Sequence, residues 1–349
     1  MNQPQITLLI CTHNGERTIQ QALEAIAGQT DVSRDWFEVL VVDNASSDRT
    51  SEIASSCIQQ LNLNGRVLLE PRLGKVNAFL SGIQEARSEL ISIVDDDNFI
   101  EPGFIRYTLE IFNQHPEVGM VGSKNSAHTE QAAPNWFSWV RGRYACAQPM
   151  LVDIETKLSE GAVIAKTGVI AGAGSTFRVK PLRQCLEKGY SFFNDTQRGK
   201  NMSVTGEDLE LCWLMYSLGY RFAFDPRIQI RHAIKAERLD LNYLKALSRS
   251  QGAGALGADP FMFTYKFEDG KWPFRWTWQW QLLSKVRRYL ELTLVCIIPN
   301  YLDEEKRFRN WTFRVECMGA IRRILLERDK YTTHIHQVAA GSWTDFRIR

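Results

Sequence analysis

Three adjacent carboxylates, Asp95-Asp96-Asp97, followed by Asn98, stand directly after the apolar residues Ile93-Val94. Like charges in one turn repel unless something cationic sits among them, and hard divalent cations such as Mg²⁺ or Mn²⁺ prefer carboxylate and phosphate oxygens. The run suits a metal–phosphate site; it also suits a solvated acidic turn capping a helix that begins near Pro102. A second acidic pair, Glu207-Asp208, follows Thr205-Gly206 and opens a helical pattern. It suits a general base that takes a proton from a hydroxyl, or charge that simply favours a helix start. Asp43 ends Val39-Leu40-Val41-Val42 and suits hydrogen bonds to a base or ribose, or capping of the next helix. Lys75 in Arg72-Leu73-Gly74-Lys75 suits pairing with phosphate or a solvated helix start. His232 in Ile230-Arg231-His232 suits a further metal ligand or a satisfied, partly buried histidine.

The elements around these residues make the grouping meaningful. Short apolar runs at 6–11, 39–42, 67–69, 90–94 and 118–121 read as buried strands. Helical spacing at 17–28, 48–58, 74–86 and 102–113 fills the gaps, with Ser47 or Asp48 as cap of the second helix. Repeated β–α units predict an α/β fold with a mostly parallel, doubly wound sheet and right-handed crossovers. Ligands bind such sheets at the carboxyl ends of strands. That rim gathers Thr12, His13, Asn14 and Glu16, then Asp43 and Asn44, then Asp95 to Asn98. Residues 126–205 are less regular, with a Gly-rich strand candidate at 172–179 and a polar stretch, 194–203, that reads as a mobile loop. A helix at 207–218 is closed by Gly219, and strands at 220–224 and 228–230 flank an Asp225-Pro226 turn. Beyond residue 237 the pattern is helical.

Several classes are excluded. A G-x-G-x-x-G match at Gly252, Gly254 and Gly257 lies in a helical stretch without the strand–turn–helix setting of a dinucleotide site. No G-x-x-x-x-G-K-[ST] loop and no G-x-S-x-G elbow occurs. Seven widely spaced Cys without a CxxC read as buried free thiols of a reducing compartment. The polar start is unlike a signal peptide, and no run of apolar residues is long enough to span a bilayer. With 44% hydrophobic and 23% charged residues among 349, the chain is globular.

Five motifs, taken in chain order, resemble those of the family 2 glycosyltransferases with a GT-A fold. The resemblance covers about residues 5–235. It implies a first nucleotide-contacting loop at Ile10-Cys11-Thr12-His13-Asn14-Gly15-Glu16 and a second at Val41-Val42-Asp43-Asn44, where the Asp reads the nucleoside. It implies a nucleotide-side helix start at Gly74-Lys75, and a DXD metal site at Asp95-Asp96-Asp97, with Asp95 and Asp97 as its carboxylates. Gly206-Glu207-Asp208-Leu209-Glu210-Leu211 is similar to the segment holding the catalytic base, which implies Asp208 first and Glu207 second. His232 stands where some GT-A enzymes place another metal ligand. The family often has a second acid after Asp43; here it is Asn44.

The expected activity is metal-dependent (Mn²⁺ or Mg²⁺), inverting transfer of a sugar from a nucleotide-sugar, UDP being the family's usual carrier, to an acceptor hydroxyl in polysaccharide or glycoconjugate synthesis. Arg198 and Lys200 of the 194–203 stretch would reach phosphate. A sugar nucleotidyltransferase would need a Gly-rich basic loop after the first strand, which His13-Asn14-Gly15-Glu16 does not supply; a non-catalytic binding module would have little use for both Asp97 and Asp208. The expected organisation is a catalytic domain at 1–237 and a helical extension at 238–349. The charge is uneven: residues 271–349 hold 15 basic and 8 acidic residues, and 1–270 hold 27 and 32. Trp272, Trp276, Trp278 and Trp280 lie among Lys271, Arg275, Lys285, Arg287 and Arg288. That mixture suits an anionic membrane surface at the inner face of the cell membrane, reached from the cytoplasm through 271–330, or a helical cap packed on the catalytic domain. The acceptor is then a saccharide or a lipid-linked one; no nucleic acid is expected.

Overall fold

The computed structural model describes residues 3–194, 204–266, 277–297, 302–341 and residue 343. Its first half alternates strands and helices: β1 (Ile6–Thr12), α1 (Ile19–Ala27), β2 (Phe37–Asp43), α2 (Thr50–Gln60), β3 (Gly65–Leu69), α3 (Lys75–Glu85), β4 (Leu90–Ile93), β5 (Asn98–Ile100), α4 (Phe104–Gln114) and β6 (Val118–Thr129). Then come α5 (Asn135–Val140), β7 (Met150–Lys157), β8 (Val163–Val169), β9 (Thr176–Arg178), α6 (Val179–Glu187), α7 (Glu207–Ser217) and β10 (Arg221–Ile234). Helices α8 (Leu241–Gly254), α9 (Asp259–Lys266), α10 (Trp278–Ile297), α11 (Glu304–Leu326) and α12 (Arg328–Ala340) follow.

Every residue of β2, and all of β1 but Cys11, is buried. That is why their sequences are continuous apolar runs instead of alternating ones: helices cover both faces of the sheet. The strand order is β3-β2-β1-β4-β9-β6-β10-β8-β7, with β5 also paired to β10. Neighbours β3, β2, β1 and β4 run parallel, as do β6 and β10. The inserted β9 and the hairpin partners β7 and β8 run antiparallel. Helix α7 ends as expected, with Gly219 at φ +89°.

The region beyond residue 126 departs from expectation. The two strands flanking Asp225-Pro226 are one strand, β10. Its register against β6 jumps between Phe224 and Gln229, so the expected turn is a bulge. Pro226, which has no N–H to donate, sits where the ladder is interrupted. Asp225 is buried and paired with Arg227 at 2.7 Å. The strand candidate 172–179 shortens to β9. The hairpin β7–β8 carries no sequence signature because β7 is almost wholly exposed and so lacks a core-facing pattern. The first helix turn at Pro102 is also displaced: β5 intervenes and α4 starts at Phe104.

The Gly252/Gly254/Gly257 match turns out to be a packing device. A Cβ on Gly252 would lie 2.0 Å from the Glu316 carbonyl oxygen of α11, and one on Gly254 would lie 1.4 Å from that of Thr205. One on Gly257 would meet Asn194 and Glu210 at 2.6 Å. On the other side of the crossing, Gly319 of α11 approaches the Arg249 carbonyl of α8 in the same way. Fully buried Arg323 of α11 donates to Asn194 Oδ1 at 2.6 Å and to the carbonyls of Ala253 and Phe193 at 3.0 Å. The helices beyond residue 237 are thereby fastened to Phe193, Asn194, Thr205 and Gly206, the last two next to Glu207 and Asp208. Trp278 also packs inward, against the cluster of Phe193, Leu256, Ile324 and Tyr331. Trp272, Trp276, Lys271 and Arg275 lie outside the described residues.

Gly254→Ala must therefore displace the Thr205-Gly206 backbone. It is expected to cost about 1–3 kcal/mol or more and to lower Tm in thermal denaturation. Gly142→Ala, whose Cβ would have only ordinary contact with Ala147 at 3.9 Å, serves as comparison.

Candidate active site

The carboxyl ends of β1 and β4, the start of α7, and residues from β10 to α11 enclose a cleft of about 1270 Å³. This exceeds the roughly 300–1,000 Å³ of an ordinary small-molecule site and leaves room for two substrates. Thr12, Asn14, Lys75, Asp95, Asp96, Asp97, Glu207, Asp208 and His232, all singled out from the sequence, line it together. Asp43 and Glu16 do not. Asp43 is buried behind the wall, where Oδ1 accepts from the Ser46 N–H at 3.0 Å and Oδ2 from the Ser51 hydroxyl at 2.5 Å. Glu16 is exposed and accepts from the Arg49 N–H at 3.3 Å. Asp48 accepts from the Thr50 N–H at 3.1 Å, so it helps start α2. Arg198 and Lys200 lie outside the described residues.

The wall is built by side chains that splice loops together. Asn44 donates to the carbonyls of Glu70 (3.1 Å) and Arg72 (2.7 Å), while its Oδ1 accepts from the Gly74 N–H at 2.8 Å. A carboxylate here would face two carbonyl oxygens with nothing to donate, so an amide is the side chain that fits. Asn14, at φ +55°, ties the first loop to the second through Ser46 and Ser47. The Thr12 hydroxyl is buried and has no hydrogen-bond partner among the described residues. It is a polar atom left open at the cleft wall.

Two of the three Asp carboxylates, Asp95 and Asp97, face cations. Lys75 Nζ lies 3.2 Å from Asp95 Oδ1 and 3.5 Å from Glu207 Oε1, bridging the two acidic groups across the cleft. Burial alone would lower its pKa, but Asp95, Glu207 and Asp208 hold it above the ordinary lysine value. Arg238 Nη1 lies 3.0 Å from Asp97 Oδ2, and His232 Nε2 3.4 Å from Asp97 Oδ1. Burial opposes ionisation of Asp97, yet its bond to His232 and the charges of His232 and Arg238 push the carboxyl below its usual range. Burial would likewise lower His232, but Asp97 and Cys146 raise it to about 10. Asp96 has only the Thr18 hydroxyl, at 3.1 Å, and burial with its two acidic neighbours raises it to about 6. Part of the countercharge that the acidic run demands is thus supplied by the protein. Arg238, one residue beyond the expected domain boundary at 237, supplies it in a place the sequence reading did not assign.

Asp208 sits in the first turn of α7. Its Oδ2 accepts from the Gly172 N–H at 2.9 Å and its Oδ1 from the Leu209 N–H at 2.8 Å, which fixes the carboxylate. Burial and the neighbouring Glu207 raise its pKa. Cys11 also lines the cleft, but burial pushes its thiol up to about 12, with Asp95 and Glu207 adding to the effect and Lys75 opposing it. It is not the thiolate a covalent mechanism would need.

Among the described residues, no group of three His, Cys, Asp or Glu side chains is arranged to hold a metal ion. Asp97 and His232 are adjacent, whereas Asp95 is turned to Lys75. An oxygen and an imidazole nitrogen fit an Mg²⁺ or Mn²⁺ ion that takes its remaining ligands from phosphate and water, which is how these ions usually bind nucleotides.

Glu70 carries the loop that presents Lys75. Its carboxylate accepts from the Arg72 guanidinium and backbone, and from the Ser81 hydroxyl, and these bonds lower it from 4.5 to about 2. A depressed carboxylate contributes stability that is present above 4.5 and lost as pH falls towards 2. Glu70→Gln is expected to flatten the loss of stability in that window, as measured by urea melts across pH.

Comparison with known proteins bears on the family and the fold. The model of "Glycosyl transferase family 2" matches residues 7–185. Over 227 residues the chain is 27% identical to the "Probable glycosyltransferase YdaM" of Bacillus subtilis (strain 168), covering 64% of this chain and 49% of that protein. Over 221 residues it is 24% identical to the poly-beta-1,6-N-acetyl-D-glucosamine synthase of Staphylococcus aureus (strain COL), covering 63% and 48%. The chain spans about half the length of these curated relatives. Among solved structures, GalNAc-T7 with UDP, GalNAc and Mn²⁺ superposes with a TM-score of 0.53 at 13% identity, covering 94% of this chain and 57% of that one. The mannosyltransferase PcManGT from Pyrobaculum calidifontis, in complex with GDP-Man and Mn²⁺, gives 0.51 at 16%, covering 99% and 85%. At such identities these two show the shared fold, a GT-A type α/β architecture. From the family match over half of its length, the chain belongs to glycosyl transferase family 2.

Proposed function

We propose that this glycosyltransferase moves a sugar from a nucleotide-sugar, with UDP as the first carrier to test, to an acceptor hydroxyl with inversion at the anomeric carbon. The observation that supports this most is the single cleft shared by the Asp95–Asp97 rim and by Asp208. The donor lies along the rim, with Thr12, Asn14, Lys75, Asp95 and Asp96 towards the nucleotide and diphosphate; Asp43 and Glu16 support this side from behind the wall. Asp97 and His232, the latter after release of its proton, with Asp95 nearby, would hold a divalent ion, Mn²⁺ or Mg²⁺. When bound, such an ion acts as a Lewis acid that neutralises charge growing on the leaving diphosphate.

Asp208 is the base. Its carboxylate takes the proton of the acceptor hydroxyl as the oxygen forms a bond to the anomeric carbon. The bond from that carbon to the diphosphate breaks, and the electron pair leaves with the nucleoside diphosphate. One displacement gives inversion. Glu207, held by Lys75, keeps the Asp208 pKa raised and so nearer to the working pH. Synthesis of a polysaccharide or glycoconjugate is the setting that fits, in the cytoplasm with the acceptor, saccharide or lipid-linked, met at the inner face of a membrane. No described helix is long and apolar enough to cross a membrane.

Asp208→Asn is expected to lower kcat by at least about 10²–10⁴-fold while donor binding persists; near-normal turnover would end the base assignment. Glu207→Gln removes the like charge that raises Asp208, so the acid limb of the kcat/KM profile should move to lower pH; a limb that stays or rises would oppose the assignment. Asp97→Ala should abolish the Mn²⁺-dependent part of UDP-sugar binding in calorimetry run with and without the ion.

A further inference from the structure

Helix α10 presents two unlike faces. Leu283, Leu290 and Leu294 recur at spacings of seven and four, which places them on one side of a helix. They are 58%, 53% and 63% exposed. On the opposite side Gln281 and Leu292 are buried, and Lys285, Arg288 and Leu292 line the active-site cleft. Lys285 is anchored there by Asp259 at 2.9 Å. The outer stripe is bordered by Arg287, 77% exposed, which shares the partly exposed Glu291 with Arg288 of the cleft side. Three leucines in a row on a helix flank, each more than half in water, lose hydrophobic stabilisation that an ordinary surface helix would not forgo. No described element of the chain covers them.

We infer that the Leu283–Leu290–Leu294 face of α10 docks on an anionic bilayer surface. Leucines enter the acyl boundary while the guanidinium of Arg287 stays at headgroup level, the arrangement expected of an interfacial amphipathic helix. The charge supports a bilayer over another protein surface: the last 79 residues carry an excess of seven basic residues in a chain whose total is only +2. Because the inner face of the same helix lines the cleft, docking sets the cleft at the membrane. An acceptor embedded in the bilayer would then meet Asp208 without leaving it. The inference rests on the proposed transfer reaction only for that last step.

The test is flotation of the full chain with vesicles of phosphatidylcholine alone, or of equal parts phosphatidylcholine and phosphatidylglycerol. Wild type should float with the anionic vesicles, and the Leu290→Glu/Leu294→Glu double variant should lower the bound fraction by about tenfold or more. Arg287→Glu should weaken flotation in a salt-dependent way. If the double variant loses its cooperative melt, Leu290→Ala/Leu294→Ala gives the same decision with a smaller change. Wild type that stays at the bottom of both gradients overturns the inference, as does a folded double variant that floats like wild type. So does a concentration-dependent dimer that the double variant splits, since the occupant is then a second copy. A thermal shift with UDP-sugar and Mn²⁺ is read on the same samples: its loss bears on the transfer reading, and flotation bears on the docking surface.

Discussion

The structure is organised around an excess of negative charge at the carboxyl ends of its strands. Asp95, Asp96, Asp97, Glu207 and Asp208 all face one cleft. So many carboxylates at low exposure are tolerable only if each is paired, hydrogen-bonded or protonated. The protein uses all three. Lys75 serves Asp95 and Glu207, Arg238 and His232 serve Asp97, backbone N–H groups serve Asp208, and Asp96 is pushed towards protonation. These partners come from β10, from α3, from the segment after β8 and from the chain beyond β10. The charge cluster is therefore what obliges distant parts of the chain to meet at one place.

That meeting is held by backbone contact as much as by charge. The α8–α11 crossing and the contact of α8 with Thr205-Gly206 both depend on glycines whose missing Cβ lets main chains touch. Arg323 adds a buried, multiply bonded guanidinium that reads carbonyls on both sides. The consequence is functional. Gly206 precedes the two carboxylates of α7, so the C-terminal helices fix the position of Asp208, the proposed base. Residues of the helical extension expected beyond 237 line part of the cleft wall.

Legibility in the sequence followed burial. Strands covered on both faces leave continuous apolar runs, so β1, β2 and β4 were read to within a residue or two, and with them the rim that carries Thr12, Asn44 and Asp95 to Asn98. The exposed β7 left no pattern, and β10 looked like two strands because Pro226 and Asp225 are turn residues wherever they occur; only the pairing with β6 shows a bulge. Long-range partners were invisible for a different reason. Nothing in Ala236-Glu237-Arg238 says that its guanidinium reaches Asp97, and nothing in a helical G-x-G-x-x-G says which carbonyls it must pass. The requirement for a cation near Asp95-Asp96-Asp97 was legible; that lysine, arginine and histidine would meet part of it was not.

This division of countercharge also bears on how the site takes up its substrates. An acidic pocket empty of cations would bind a divalent ion tightly and repel a diphosphate. A pocket already partly neutralised by Lys75, Arg238 and His232 does neither so strongly. A metal ion and a diphosphate entering together bring charges that nearly cancel, so they can replace protein–protein ion pairs without leaving any buried charge alone. Arg238 and Lys75, released in part from Asp97 and Asp95, then face phosphate oxygens, a partner that suits a guanidinium or an ammonium as well as a carboxylate does. If the proposed reaction uses a divalent ion, the ion pairs of the free protein would hold the places of the ion–diphosphate pair, and the site would favour donor and metal arriving as one unit over either arriving alone.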